Sequence, residues 1–68
     1  MNNKFAERLK ELRIKNNLTR KQLAEIFNVS VSTINAWETK KSEPNVERLL
    51  EITGFFKVRV DYMLGAIN

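Results

Sequence analysis

The stretch from Thr19 to Thr39 constrains this chain more than any other. It reads as two short amphipathic helical patterns laid end to end, each opened by a capping residue. Thr19 begins the first. Gln22, three positions on, completes a capping box in which each side chain accepts from the other residue's backbone N–H. Ser30 opens the second by the same capping logic. Only Asn28 and Val29 lie between them, and Asn tolerates the left-handed backbone that so tight a break demands. Helices joined this closely cross steeply, so the rest of the chain has to pack around the crossing.

The flanking sequence supplies three more helical patterns. Phe5, Leu9 and Leu12 recur at helical spacing between charged residues, which predicts a first helix over about Lys4 to Lys15. Asn16-Asn17 ends it, again because Asn suits a helix C-terminal cap. Leu23, Ala24 and Phe27 form the buried stripe of the second helix. A polar loop follows the third, and Pro44 disfavours helix at Glu43. Asn45 then caps a fourth helix whose expected apolar face is Val46, Leu49, Leu50, Thr53 and Phe56. Gly54 within it costs about 1 kcal/mol relative to Ala. A short fifth helix, Val60 to Leu64, precedes Gly65. No segment alternates as a strand does. The expected architecture is all-α, a compact bundle of five short helices forming a single domain over residues 1–68.

Composition narrows the function. Cys and His are both absent, which removes disulfides, zinc-finger spacings, thiol nucleophiles and imidazole bases. Neither Gly opens a phosphate-binding loop, and no pair of carboxylates is set apart. An enzyme, a metal site, a cofactor or a small-molecule ligand is therefore not expected. Residues 1–21 carry seven basic and two acidic side chains, whereas the chain as a whole nets +4. A basic end of this kind suits a polyanionic partner or a solvated helix face. No apolar run reaches the ~20 residues of a membrane span, and the polar N-terminus does not resemble a signal peptide. The expected setting is cytoplasmic. Frequent Asn, Lys and Ile suggest a bacterial or phage gene.

The third helix divides sharply at about 100° per residue. Ile34 and Trp37 share a large apolar side. Val31, Ser32, Asn35, Ala36 and Thr39 point the other way. Surface helices usually carry Lys, Glu or Gln, so a face of small side chains stands out. Small side chains permit the close approach of another body, either a major groove or another protein's helix.

Taken together, the chain resembles the phage-repressor and Cro-like helix-turn-helix family, also called the XRE family, whose lambda-repressor-like fold is a DNA-binding domain. The resemblance runs from Phe5 to Gly65. It is carried by Glu7-Arg-Leu-Lys-Glu-Leu-Arg13, Leu18-Thr19, Gln22-Leu-Ala-Glu25, Val29-Ser30, Ser32-Thr-Ile34, Trp37-Glu38, Pro44 and Val60-Asp-Tyr-Met-Leu-Gly65. It implies that the third helix enters the major groove of double-stranded DNA while the second crosses the backbone. By matching position, Val31, Ser32, Asn35 and Ala36 would face bases. Thr19, Arg20, Thr39, Lys40 and Lys41 would meet phosphates. Arg13 and Glu38 would form a structural ion pair between the first and third helices.

The implied function is sequence-specific binding by a transcriptional regulator, a repressor by family habit, acting as a homodimer on a two-fold symmetric operator. The alternative is a protein-interaction module, of antitoxin or anti-repressor type, that keeps the fold without specific DNA reading. Departures from the family pattern sharpen the expectation. Of the face Val31, Ser32, Asn35 and Ala36, only Asn35 offers a bidentate contact, to adenine, while Val31 and Ala36 suit thymine methyls. An A·T-biased site read partly through DNA shape follows. Arg20 stands where Gln is usual, Lys40 and Asn28 where Gly is frequent, and Arg59 where a capping Ser is usual. Phe55 replaces a common Ala and has two readings: a dimer contact with Val60, Met63 and Ile67, or a ring folded over Tyr62. Family repressors often carry a second domain, so the chain is either a complete Cro-sized protein or a piece of a longer one.

Overall fold

A computed structural model describes residues 3–67. Five helices follow one another: α1 (Phe5–Lys15), α2 (Arg20–Phe27), α3 (Val31–Glu38), α4 (Val46–Phe56) and α5 (Val60–Leu64). No strand occurs among the described residues. Side chains set the starts of the first four helices, whereas Arg59 before α5 makes no capping bond. Asn3 Oδ1 accepts from the Phe5 N–H at 2.8 Å and opens α1. Thr19 and Gln22 close the capping box at 3.0 and 2.9 Å. Ser30 caps α3 through the Thr33 N–H, and Asn45 caps α4 through the Arg48 N–H. A cap of this kind is worth about 1 kcal/mol.

Helix ends depend on a left-handed residue each time. Asn17, Asn28, Lys40 and Lys57 all take positive φ near 55–66°, and Gly65 does so at 82°. These residues turn the chain so that a following N–H reaches back to the helix: Leu18 to Arg13, Val29 to Ala24, Lys41 to Ala36, Val58 to Thr53 and Ala66 to Asp61. Only the last site favours Gly for a second reason. A Cβ there would lie 2.8 Å from Lys4 Cγ, so the Lys4 side chain would have to shift to admit it.

Each helix gives the core one fully enclosed side chain: Leu9, Leu23, Ile34, Ile52 and Met63. Phe5, Leu12, Ala24, Phe27 and Trp37 complete it. The buried side of α4 differs from the expected stripe. Ile52 and Thr53 are buried and Leu49 and Phe56 partly so, whereas Val46 and Leu50 are exposed. Apolar residues occupy most of the circumference of α4, and packing against α5 selects the side that carries Leu49, Ile52 and Phe56. Met63, expected as a dimer contact, is instead the core residue of α5 and reaches no surface. A five-residue helix has one inward position, and in α5 a large apolar side chain fills it.

One further tie closes the bundle. Arg8 is buried, and its Nη1 donates to the Tyr62 carbonyl at 2.7 Å and the Ile67 carbonyl at 3.1 Å. Its guanidinium lies 4.2 Å over the Tyr62 ring, a cation–π contact. The Lys4 N–H adds a longer bond to Leu64 O at 3.4 Å. These contacts clasp the end of α5 onto α1.

Candidate functional site

The α2–α3 unit sets the geometry. Asn28 reverses the chain, Ala24 gives α3 room to approach α2, and Ile34 and Trp37 lock the crossing from within. The opposite side of α3 is thereby forced outward. Val31, Ser32 and Asn35 are exposed, and Ser32 and Asn35 have no side-chain partner among the described residues. Ala36 sits at the edge of this face and is half-buried. Its carbonyl accepts from Lys41 and Ser42, so the turn after α3 folds back over it.

The polar groups around this face are differently committed. The oxygen of Thr19 accepts from Gln22 N, which leaves its hydroxyl proton free. The N–H groups of the first turn of α2 lie beside it. The hydroxyl of Thr39 instead donates to the Asn35 carbonyl at 2.8 Å. That hydroxyl has a single proton, and in this geometry it is engaged within α3. The cause is the familiar back-bonding of Thr to the carbonyl four residues earlier. Lys40 holds its left-handed turn and places Nζ 3.9 Å from Glu7, both well exposed. The Lys41 side chain is exposed and without a partner among the described residues.

Glu38 ends α3, and its carboxylate is 1% exposed. Arg13 grips it through two bonds, Nε to Oε2 at 2.7 Å and Nη2 to Oε1 at 3.2 Å. Arg13 Nη1 also donates to Leu18 O at 3.0 Å, which ties down the entry to α2. Sequence reasoning anticipated this pair but not its third member. Arg20 Nε donates to Glu38 Oε1 at 3.2 Å. The sequence signal was weak: at about 100° per residue Glu38 falls between buried Ile34 and exposed Val31, at the rim of the inward side of α3, where the fold encloses it. A carboxylate there needs more than one donor.

Away from α3, Phe55 is 44% exposed and Ile67 42%, while Val60 is half-buried. The Phe55 ring does not lie over Tyr62. It meets Phe27 edge-on at 5.6 Å and Phe56 at 4.9 Å, and Tyr62 is covered by Arg8. The described residues contain no cluster of three or more potential metal ligands, and no helix among them is long and apolar enough to cross a membrane.

Comparison with known proteins bears on this arrangement. A helix-turn-helix family model matches residues 9–63. The HTH-type transcriptional activator BcrR of Enterococcus faecalis is 46% identical over 61 residues, which cover 90% of this chain and 30% of that protein. The HTH-type transcriptional regulator ImmR of Bacillus subtilis is 34% identical over 61 residues, covering 90% and 48%. The chain thus spans half or less of the length of these two curated relatives. Among solved structures, a transcriptional regulator from Listeria innocua superposes with a TM-score of 0.89 at 26% identity, covering all of this chain and 64% of that one. The P22 c2 repressor, solved in complex with a synthetic operator, superposes with a TM-score of 0.83 at 30% identity, covering 93% of this chain and 96% of that one.

Proposed function

Because the chain belongs to the XRE-type helix-turn-helix family, we propose that it binds double-stranded DNA as a transcription regulator, with α3 in the major groove. The observation that carries this reading is the outward side of α3, where Ser32 and Asn35 stand exposed and unpartnered beside Val31. An ordinary solvated helix gains nothing from such a face, whereas a groove can approach it closely. Asn35 would pair with adenine, Val31 would touch thymine methyls, and Ser32 would bond to either base. Ala36, at the edge, would flank this contact. Arg20, Lys41 and the hydroxyl of Thr19 would hold phosphates, with Lys40 beside them. These contacts fix register and carry no sequence information.

A homodimer on a two-fold site is part of the same proposal, paired through the surface around Phe55, Val60 and Ile67. The sign of regulation is a separate matter. Similar proteins bear the names of an activator and of a repressor, so they share no single sign of regulation.

The test is duplex binding measured by anisotropy across a salt series, followed by in vitro selection. With about six phosphate contacts over a dimer, affinity should fall roughly 10³-fold between about 50 and 200 mM salt. Selected sites should be A·T-biased with half-site centres about 34 Å apart. No duplex binding at all would leave the chain a protein-interaction module, and duplex binding that ignores salt would sink the phosphate contacts. G-rich half-sites would sink the base assignments alone.

A further inference from the structure

The Glu38 carboxylate faces two guanidiniums, and they are not equivalent. Arg13 is 10% exposed and uses Nε, Nη1 and Nη2 within the fold. It already satisfies Glu38 on both oxygens. Arg20 is 42% exposed and uses Nε alone. Among the described residues its two Nη groups have no other partner. The cluster holds two positive charges against one negative, and the surplus sits on the exposed member. A flat fork anchored at Nε and bare at both Nη groups is half of a bidentate anion site.

We propose that Arg20 is a bridge: Nε stays on Glu38 while the Nη fork takes one non-bridging pair of oxygens on a DNA phosphate. Glu38 is then a positioning residue for backbone contact as well as a tie between α1 and α3. A free surface arginine must be ordered when it meets a phosphate. Arg20 is ordered beforehand by a carboxylate that is itself held by Arg13. The arriving phosphate brings the cluster to two charges of each sign. The inference rests on the DNA-binding reading above and names the residue that fixes where α2 meets the backbone.

Lysine distinguishes the bridge from simple charge. An ammonium has the same charge but concentrates its donors at one atom, so it does not place a fork on a phosphate while remaining on Glu38. Arg20→Lys and Arg20→Ala are compared with wild type for duplex affinity, salt slope and melting. Because Arg20 is half-exposed and Arg13 retains Glu38, both variants should fold. The expected result is a loss of about tenfold in affinity for both, with lysine giving no rescue and the salt slope reduced by about one per protomer in Arg20→Ala. Lysine binding within twofold of wild type overturns the bridge. A second comparison isolates Glu38: the loss caused by Arg20→Ala should shrink in a Glu38→Gln background, although that background carries one more net positive charge. If Arg20→Ala costs the same in both, Glu38 does not position it. If the wild-type chain binds no duplex, the DNA reading itself fails, which is a different outcome from a binding protein that tolerates lysine.

Discussion

Single residues at the helix ends were only partly legible. Asn16-Asn17 and Asn28 announced their turns because Asn is a frequent left-handed residue. Lys57 gave no such notice, and Lys40 only through the Gly that the family often has there, yet both adopt φ near 60°. A lysine there pays the Cβ penalty of the left-handed region, about 1 kcal/mol or more, which glycine avoids. Lys57→Gly should therefore stabilise the protein by about 0.5–1 kcal/mol in urea denaturation. Lys40→Gly should stabilise it comparably and weaken duplex binding, since that lysine lies beside the proposed phosphate contacts. If either glycine destabilises, the turn is held by the lysine stem and the strain argument is wrong. Gly65 is the opposite case, because a Cβ there meets Lys4 and no substitution should be gained. The Arg20 bond to Glu38 escaped for a different reason. Nothing local links positions 18 apart, and the pair forms only because α2 and α3 cross where they do.

Whole elements were easier to read than their faces. The caps Thr19, Ser30 and Asn45 and the spacing of Phe5, Leu9 and Leu12 placed four helices, since these signals are local, and Gly65 marked the end of the fifth. The face of α4 was misassigned because its apolar residues cover most of its circumference. The template Val46, Leu49, Leu50, Thr53 fits helical spacing as well as the true stripe does. What decides is tertiary, namely which side α5 covers. A pair of substitutions checks the corrected face by chemical denaturation. Ile52→Ala should cost about 2–5 kcal/mol by opening a cavity in the core. Leu50→Ala, on the 55% exposed side, should change stability by less than about 0.5 kcal/mol. Equal losses would return Leu50 to the core. On α3 the same separation of inner and outer sides was clear from sequence, because its inner side chains are large and its outer ones small.

For the molecule as a whole, the family and the bundle were legible from motif spacing, and the closure between α5 and α1 was not. Met63 was expected at a dimer contact, and Arg8 was one of seven basic residues in a charged N-terminal end with no role of its own. In the fold Met63 fills the centre and Arg8 clasps carbonyls 54 and 59 residues away. That separation has a consequence in time. The α2–α3 crossing joins near neighbours and pays little loop entropy, whereas the clasp must wait until nearly the full chain is in place. Contacts that form after the rate-limiting barrier leave the folding rate almost untouched and act on escape from the native state. Arg8→Ala should accordingly accelerate unfolding in stopped-flow experiments while the refolding limb barely moves. A slowed refolding limb would mean that the clasp belongs to the nucleus. The motif that meets the partner would thus assemble early, and a single arginine at the far side of α1 would govern how long the finished protein lasts.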